Sequence, residues 1–292
     1  MAIYQSYQVV GAAEDVSDVL SMISPTATPF QSLVKSEKIH ARTFEWLEDS
    51  LRASAQTALV EGADASAITI SPAVSRSNTT QIIGEAFQVS ATSDAIKTYG
   101  AAKQTALQLS KTLKALKNDV EKCFVGVDQA AVAGSASVAR KMASVSSQIS
   151  TTLDAGANAT DALTEAKLLT LSETCYNNGS EPSVLMVKPA DASIIAGFAT
   201  ATGRQRDIDR TITNTIDVLV TPFNEVKVII NRSNLSTHAF LIDPSTFKQA
   251  VLRPFTRTLL AKQGDSDKHF VVGEVSVKHS NFGDSGMIIG LS

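Results

Sequence analysis

Apolar residues recur at Tyr99, Ala102, Ala106, Leu109, Leu113, Leu116, Val120, Cys123 and Val127, in alternating steps of three and four. That spacing follows one face of an α-helix. No glycine or proline falls between Gly100 and Gly126, and Lys103, Gln104, Lys111, Lys114, Lys117, Asn118 and Glu121 fill the other faces. The pattern predicts a rod about 45 Å long at 1.5 Å per residue, well beyond the usual helix of about 11–12 residues. Such a rod spans a domain and buries one narrow stripe. It suits a scaffold or assembly protein better than a compact enzyme, although a coiled coil or a core helix of an ordinary α/β domain shows the same periodicity.

Ahead of the rod, residues 14–34 read as two short helices. Val16, Val19, Leu20 and Ile23 share a face, Pro25 stops the run, and Thr28 is an N-cap with Pro29 at the first helical position. Phe30, Leu33 and Val34 form the next apolar patch. Pieces this short need a larger surface to dock on, as an arm does. Residues 42–50, RTFEWLEDS, read as a strand with Phe44 and Trp46 on one side. A second extended run, Asn78–Thr92, follows a polar, Ala/Ser-rich span from Leu51 to Ser77. Two strands with a long tip between them predict a protruding β-hairpin, and loops of that length are usually functional.

Beyond the rod lies an Ala/Ser/Thr-rich span to Thr160, then a helix from about Asp161 to Tyr176 that ends at Asn177-Asn178-Gly179. Ser183–Val187 reads as an apolar strand, Pro189 opens a helix to about Ala199, and Thr215–Thr221 and Val226–Asn231 read as strands, so 161–232 forms a small α/β unit. The remainder is β-rich: His238–Ile242, Phe247–Arg253, Thr258–Lys262, Phe270–His279 and Met287–Leu291, with a tight hairpin turn at Gly283-Asp284-Ser285-Gly286. An antiparallel meander of these strands on the long helix buries its stripe.

Composition narrows the classes. The 292 residues carry a net charge of −3, which gives no footprint for strong nucleic-acid or acidic-membrane binding. The first residues lack a basic region and contain Glu14, Asp15 and Asp18, unlike a signal peptide. No run approaches the roughly 20 apolar residues of a membrane span. Two cysteines, Cys123 and Cys175, exclude a disulfide framework. There is no G-x-S-x-G, P-loop or H-E-x-x-H, so no catalytic residue, cofactor or metal site is expected. His40, His238, His269 and His279 are scattered and read as polar surface or strand-end residues. Lys103, Lys111, Lys114 and Lys117 have no acid among them and read as a solvated helix face, with an anionic polymer as the alternative.

The order of parts is arm, long hairpin, long helix, small α/β unit and returning strands. It resembles the α+β major capsid protein fold of tailed double-stranded DNA bacteriophages. Within that fold the chain is similar to major head proteins that begin with a D-V-S-D-V-L and S-P-T-A-T-P-F arm, here Asp15–Leu20 and Ser24–Phe30. Thr43-Phe44-Glu45-Trp46, Glu61-Gly62, Arg76-x-Asn78-x-Thr80-Gln81-Ile82, Leu116–Glu121, Leu252-Arg253-Pro254 and Ala261–Asp265 continue the match in order. The resemblance implies an N-terminal arm (1–40), an extended hairpin or E-loop (41–92), a peripheral domain with the spine helix and strands (93–160 and 233–292) and an axial domain (161–232). It further implies a shell of hexamers and pentamers enclosing double-stranded DNA by weak contact, assembled in the host cytoplasm either by self-organisation or on a separate scaffold protein, with portal and decoration proteins as candidate partners. Some members cross-link through an E-loop lysine; Ser50–Ser77 contains none, so that chemistry is not expected. Phe30, Leu33 and Trp46 are the expected apolar anchors between subunits, and Glu61, Arg76, Arg253, Lys262 and Asp265 the expected polar contacts, each equally compatible with a role inside one subunit. An encapsulin-like compartment of the same fold, or an α/β enzyme with an unrecognised site, are the alternatives.

Overall fold

The computed structural model describes residues 27–52, 54–62, 64, 70, 72–96, 103–156, 161–201, 218–262 and 264–291. The expected helix around 16–23 lies outside them. In chain order the elements are α1 (Pro29–Leu33), β1 (Lys35–Lys38), β2 (Thr43–Glu48), β3 (Val74–Thr79), β4 (Gln81–Ser90), α2 (Ala91–Ala95), α3 (Gln104–Val125), α4 (Val145–Gln148) and β5 (Thr151–Asp154). They continue as α5 (Glu165–Asn177), β6 (Val184–Val187), α6 (Pro189–Ala201), β7 (Val218–Val220), β8 (Glu225–Ile230), β9 (Ala239–Ile242), β10 (Phe247–Leu259), β11 (Ser266–His279) and β12 (Gly286–Ile289).

Helix α3 is the predicted rod, at 22 residues and about 33 Å rather than 45 Å. Leu116 and Val120 are buried as the stripe requires, but Leu113 is 43% exposed and Leu109 and Cys123 are half-buried. At its C-terminal end the helix is buried more completely than one stripe predicts, because Glu121, Phe124 and Val125 are buried as well.

The strands form three sheets. The hairpin β2–β3 stands as its own two-stranded antiparallel sheet, with Thr43 opposite Thr79 and Glu48 opposite Val74. The expected strand Asn78–Thr92 is in fact two: the chain leaves the hairpin at Thr80, and β4 enters a four-stranded sheet of order β1-β10-β11-β4 that packs on α3. In that sheet Phe247–Arg253 and Thr258–Lys262 are not separate runs. They merge into the 13-residue β10, which carries Pro254 inside a register shift between Arg253 and Thr256. A proline missing its ladder donor is tolerated at such an irregularity, and β1 covers only Lys248–Val251 of the other edge.

The predicted C-terminal meander divides differently. β9 and β12 leave it and join β5, β6, β7 and β8 in a six-stranded sheet of order β5-β12-β9-β6-β8-β7. The Gly283–Gly286 turn is therefore a crossover between sheets, not a hairpin. The central strands of this sheet are apolar at every position because both faces are covered. Val184, Met186, Phe240 and Ile242 face the core built on α3, while Leu185, Val187, Ala239 and Leu241 face a second core under α5 and α6. Thr164 caps α5 by accepting from the Lys167 amide, and Gly179 at φ +87° closes its end where a side chain is strained.

Candidate assembly interface

The arm meets the body at Glu121. This residue is fully buried on α3, although the sequence pattern places it on a polar face. Its Oε1 accepts from the Phe30 amide at 2.8 Å and from Asn231 Nδ2 at 2.7 Å. Its Oε2 accepts from the Gln31 amide and from Gln31 Nε2, both at 3.1 Å. Thr28, the expected N-cap, makes no side-chain cap bond, so a carboxylate 90 residues away satisfies the opening amides of α1 instead. Arm, spine helix and the end of β8 are thereby tied at one point. Phe30 completes the latch from its apolar side, edge-on to Phe124 and Phe247 with ring centroids 5.7 Å from each.

The hairpin is held at its base. Trp46 is buried, stacks on Phe44 at 5.6 Å and leans on Phe282 at 6.2 Å. The Arg76 guanidinium lies 4.5 Å above the Phe282 ring, and its Nε donates to Glu48 at 2.6 Å. Asn78 Nδ2 donates to the carbonyls of Val277 and Ala143, and its Oδ1 accepts from the Ala143 amide. Where the chain turns at Thr80, buried Glu274 gathers Arg140, Arg253 (3.0 Å) and the Thr80 hydroxyl (2.6 Å), while Arg140 Nε donates to the Thr80 carbonyl.

Away from that base the hairpin is open, and the apolar side chains scattered along its polar loop stand in solvent. Leu47 is 73% exposed, Leu51 98%, Leu59 73% and Val60 81%. With Ile70 and Val74, six of the seventeen exposed large apolar side chains among the described residues sit on this one element. None of the described residues covers them, which is the signature of a surface completed by another molecule.

The sequence-predicted contacts distribute unevenly over this geometry. Phe30 and Trp46 are spent inside the subunit, and Leu33 packs half-buried against the α3 core. Arg76 and Arg253 pair with Glu48 and Glu274 of the same chain, and Lys262 with Asp267 at 3.3 Å. Glu61 is exposed near the hairpin tip. Asp265 is exposed at the β10–β11 tip, where its carbonyl accepts from the Ala91 amide. The hairpin leucines were the missed residues; a Leu or Val in a polar loop was the available signal.

Of the histidines expected at the surface or at strand ends, His279 is the last residue of β11, and both it and His269 are buried. His279 lies flat on Phe247 at 4.0 Å, and burial pushes its imidazole down to about 4. Burial likewise raises the Cys175 thiol to about 11, an inert state for a nucleophile. Among the described residues no group of three or more His, Cys, Asp or Glu is arranged to hold a metal, and no helix is long and apolar enough to cross a membrane.

A latched arm, a projecting hairpin, a spine helix on a four-stranded sheet and a six-stranded α/β unit together define the major capsid protein fold of tailed phages. The chain belongs to the SU10 major capsid protein family, whose sequence model matches residues 3–292. It is 27% identical over 338 residues to the major capsid protein of Escherichia phage Phieco32, covering 98% of this chain and 96% of that one. Its fold is similar to the capsid asymmetric unit of cyanophage A-1(L), with a TM-score of 0.70 at 14% identity over 96% of this chain and 97% of the other. It is also similar to the SrpI encapsulin of Synechococcus elongatus PCC 7942, with a TM-score of 0.64 at 10% identity over 100% and 97%.

Proposed function

We propose that the chain builds the icosahedral head of a tailed phage as hexamers and pentamers, with the β2–β3 hairpin laid as a strap across a neighbouring copy. The observation that carries this reading is the row of uncovered leucines and valines on a hairpin whose base is rigidly pinned. Burying four such side chains at about 1.5–3 kcal/mol each offers roughly 6–12 kcal/mol before the entropy of docking is subtracted. Repeated around a closed shell, a modest net gain per contact gives high overall stability. The working division is arm 1–40, hairpin 41–92, peripheral domain and axial domain, with β5, β9 and β12 belonging to the axial sheet. Glu61 near the hairpin tip and Asp265 at the β10–β11 tip are the sequence-predicted polar contacts best placed to meet a neighbour. Portal, scaffold and decoration proteins, and DNA held by weak contacts, are the further partners, and assembly takes place in the host cytoplasm. The role is structural rather than catalytic. An enzyme-filled compartment shares the fold, and family membership favours the phage head. The test is the double variant Leu51→Asp, Val60→Asp. It melts as the unaltered chain does while losing shells in electron microscopy; shells formed at the usual yield refute the strap.

A further inference from the structure

The four-stranded sheet has two unlike faces. On β4 and β11 the odd-numbered residues Ile83, Val271 and Val275 belong to the core built on α3. The even-numbered residues point the opposite way. The ladder sets them in rows: Ile82, Glu274 and Arg253; Gly84, Val272 and Thr256; Ala86, Phe270 and Thr258. An antiparallel sheet packed on one face is usually polar on the other. This one carries an apolar stripe there instead. Ile82 is 53% exposed, Gly84 and Ala86 are exposed, and Val272 and Phe270 are only half-buried. The stripe runs into a cavity of about 300 Å³ between Gln88, Leu260, Ser266 and Lys268.

Positive charge frames the stripe. Glu274 is taken up by Arg140 and Arg253, and Lys268 is exposed and enters no ion pair among the described residues. Three cations against one carboxylate leave a net +2. The hairpin has the opposite sign: residues 43–79 hold Glu45, Glu48, Asp49, Glu61 and Asp64 against Arg52 and Arg76, a net −3. The spacing also matches. In an extended chain Leu59 and Glu61 lie about 7 Å apart on one side, and Phe270 and Lys268 repeat that interval along β11. Leu59 laid over Ala86 and Phe270 therefore brings Glu61 to Lys268 and Thr57 to the row of Val272 and Thr256.

We propose that this stripe is the seat for the hairpin of a second copy of the chain, with Leu59 on Ala86 and Phe270 and Glu61 against Lys268. The proposal rests on the reading of the hairpin as a strap and adds where on the neighbour it lands. The apolar rows supply adhesion, and the charges at the end of the stripe fix the register. Hairpin and seat are different surfaces of one chain, so the contact is head-to-tail, the kind that closes into rings when the rotation permits.

The test uses two preparations of the full-length chain, one carrying Thr57→Cys and the other Thr256→Cys, both at exposed polar positions that leave the apolar contacts in place. They are mixed under assembly conditions and treated with a short bismaleimide, and linked peptides are identified by mass spectrometry. The unaltered chain, with Cys123 half-buried and Cys175 buried, supplies the blank. A control mixture replaces Thr256→Cys with Lys227→Cys, which is exposed on β8. Docking holds the first pair at an effective concentration in the millimolar range, so linkage of 57 to 256 is expected about tenfold faster than linkage of 57 to 227. In parallel, Glu61→Lys and Lys268→Glu are each expected to raise the concentration needed for shells about tenfold, and the two together to bring it back within about twofold of the unaltered chain. Shells that form with equal linkage at both positions, or with both single reversals harmless, overturn this seat and leave the strap reading standing. Preferred linkage at 256 in a chain that forms rings but no closed shells supports the seat and overturns the head-subunit reading. A chain that stays monomeric with its scaffold and shows no linkage overturns both.

Discussion

Replacing Glu121 with alanine removes the acceptor for four donors at once: the amides of Phe30 and Gln31, Gln31 Nε2 and Asn231 Nδ2. Two of these, the Phe30 amide and Asn231 Nδ2, are buried, and each buried donor left unsatisfied costs about 1–3 kcal/mol. The Gln31 groups are partly exposed and can turn to water, so they add little. The total is about 2–6 kcal/mol, and it falls on one place, because α1 is only five residues long and has no side-chain cap of its own. The expected result is undocking of the arm rather than collapse of the subunit. Hydrogen exchange measures it directly: the Ser32 and Val34 amides, which donate to the carbonyls of Thr28 and Phe30, should exchange about 10²–10³ times faster at a cost of about 3–4 kcal/mol. Glu121→Gln keeps an oxygen for Phe30 and Asn231 and should lie between the two. Unchanged protection of residues 28–34 in Glu121→Ala, within about threefold, refutes the latch.

The remaining predictions concern the body of the fold. His279 is held neutral by burial at about 4 against an ordinary 6.5, so the unfolded chain binds the extra proton between those values; stability is fully present above pH 6.5 and falls by up to about 3 kcal/mol as pH drops to 4. Chemical denaturation of His279→Phe across that range should show a flatter slope, and an unchanged slope counts against the assignment. Arg140→Ala leaves Glu274 and the Thr80 carbonyl short of a partner in a buried setting and should cost about 3–5 kcal/mol, whereas Arg253→Ala, whose side chain is largely exposed, should cost about 1 kcal/mol or less in the same melts. Gly286→Ala places a methyl 2.8 Å from Leu171 and 2.9 Å from Cys175 and should destabilise the β12–α5 contact by about 1–3 kcal/mol, read as a lower melting temperature.

What the sequence made legible was local. Three-and-four spacing located α3, the alternation around Phe44 and Trp46 located β2, and Asn177-Asn178-Gly179 located the end of α5. What it concealed depended on distant partners. Asn78–Thr92 looks like one strand because nothing local marks Thr80, where the chain switches from pairing with β2 to pairing with β11. Pro254 appears to end a strand, yet the register shift opposite β11 accommodates it. Glu121 reads as a solvated charge because its donors lie about 90 and 110 residues away. At the candidate interface the same limit applied in reverse. Aromatic Phe30 and Trp46 look like interface anchors but are consumed by their own subunit, and the leucines of an unremarkable polar loop are left uncovered.

Cryo-electron microscopy of the assembled chain tests the central claim most directly. The account predicts closed icosahedral shells in which the β2–β3 hairpin of each subunit crosses onto a neighbouring copy, with Leu51, Leu59 and Val60 buried there. A hairpin folded back on its own subunit with those side chains in solvent contradicts it, as does a chain that stays monomeric together with its scaffold and portal.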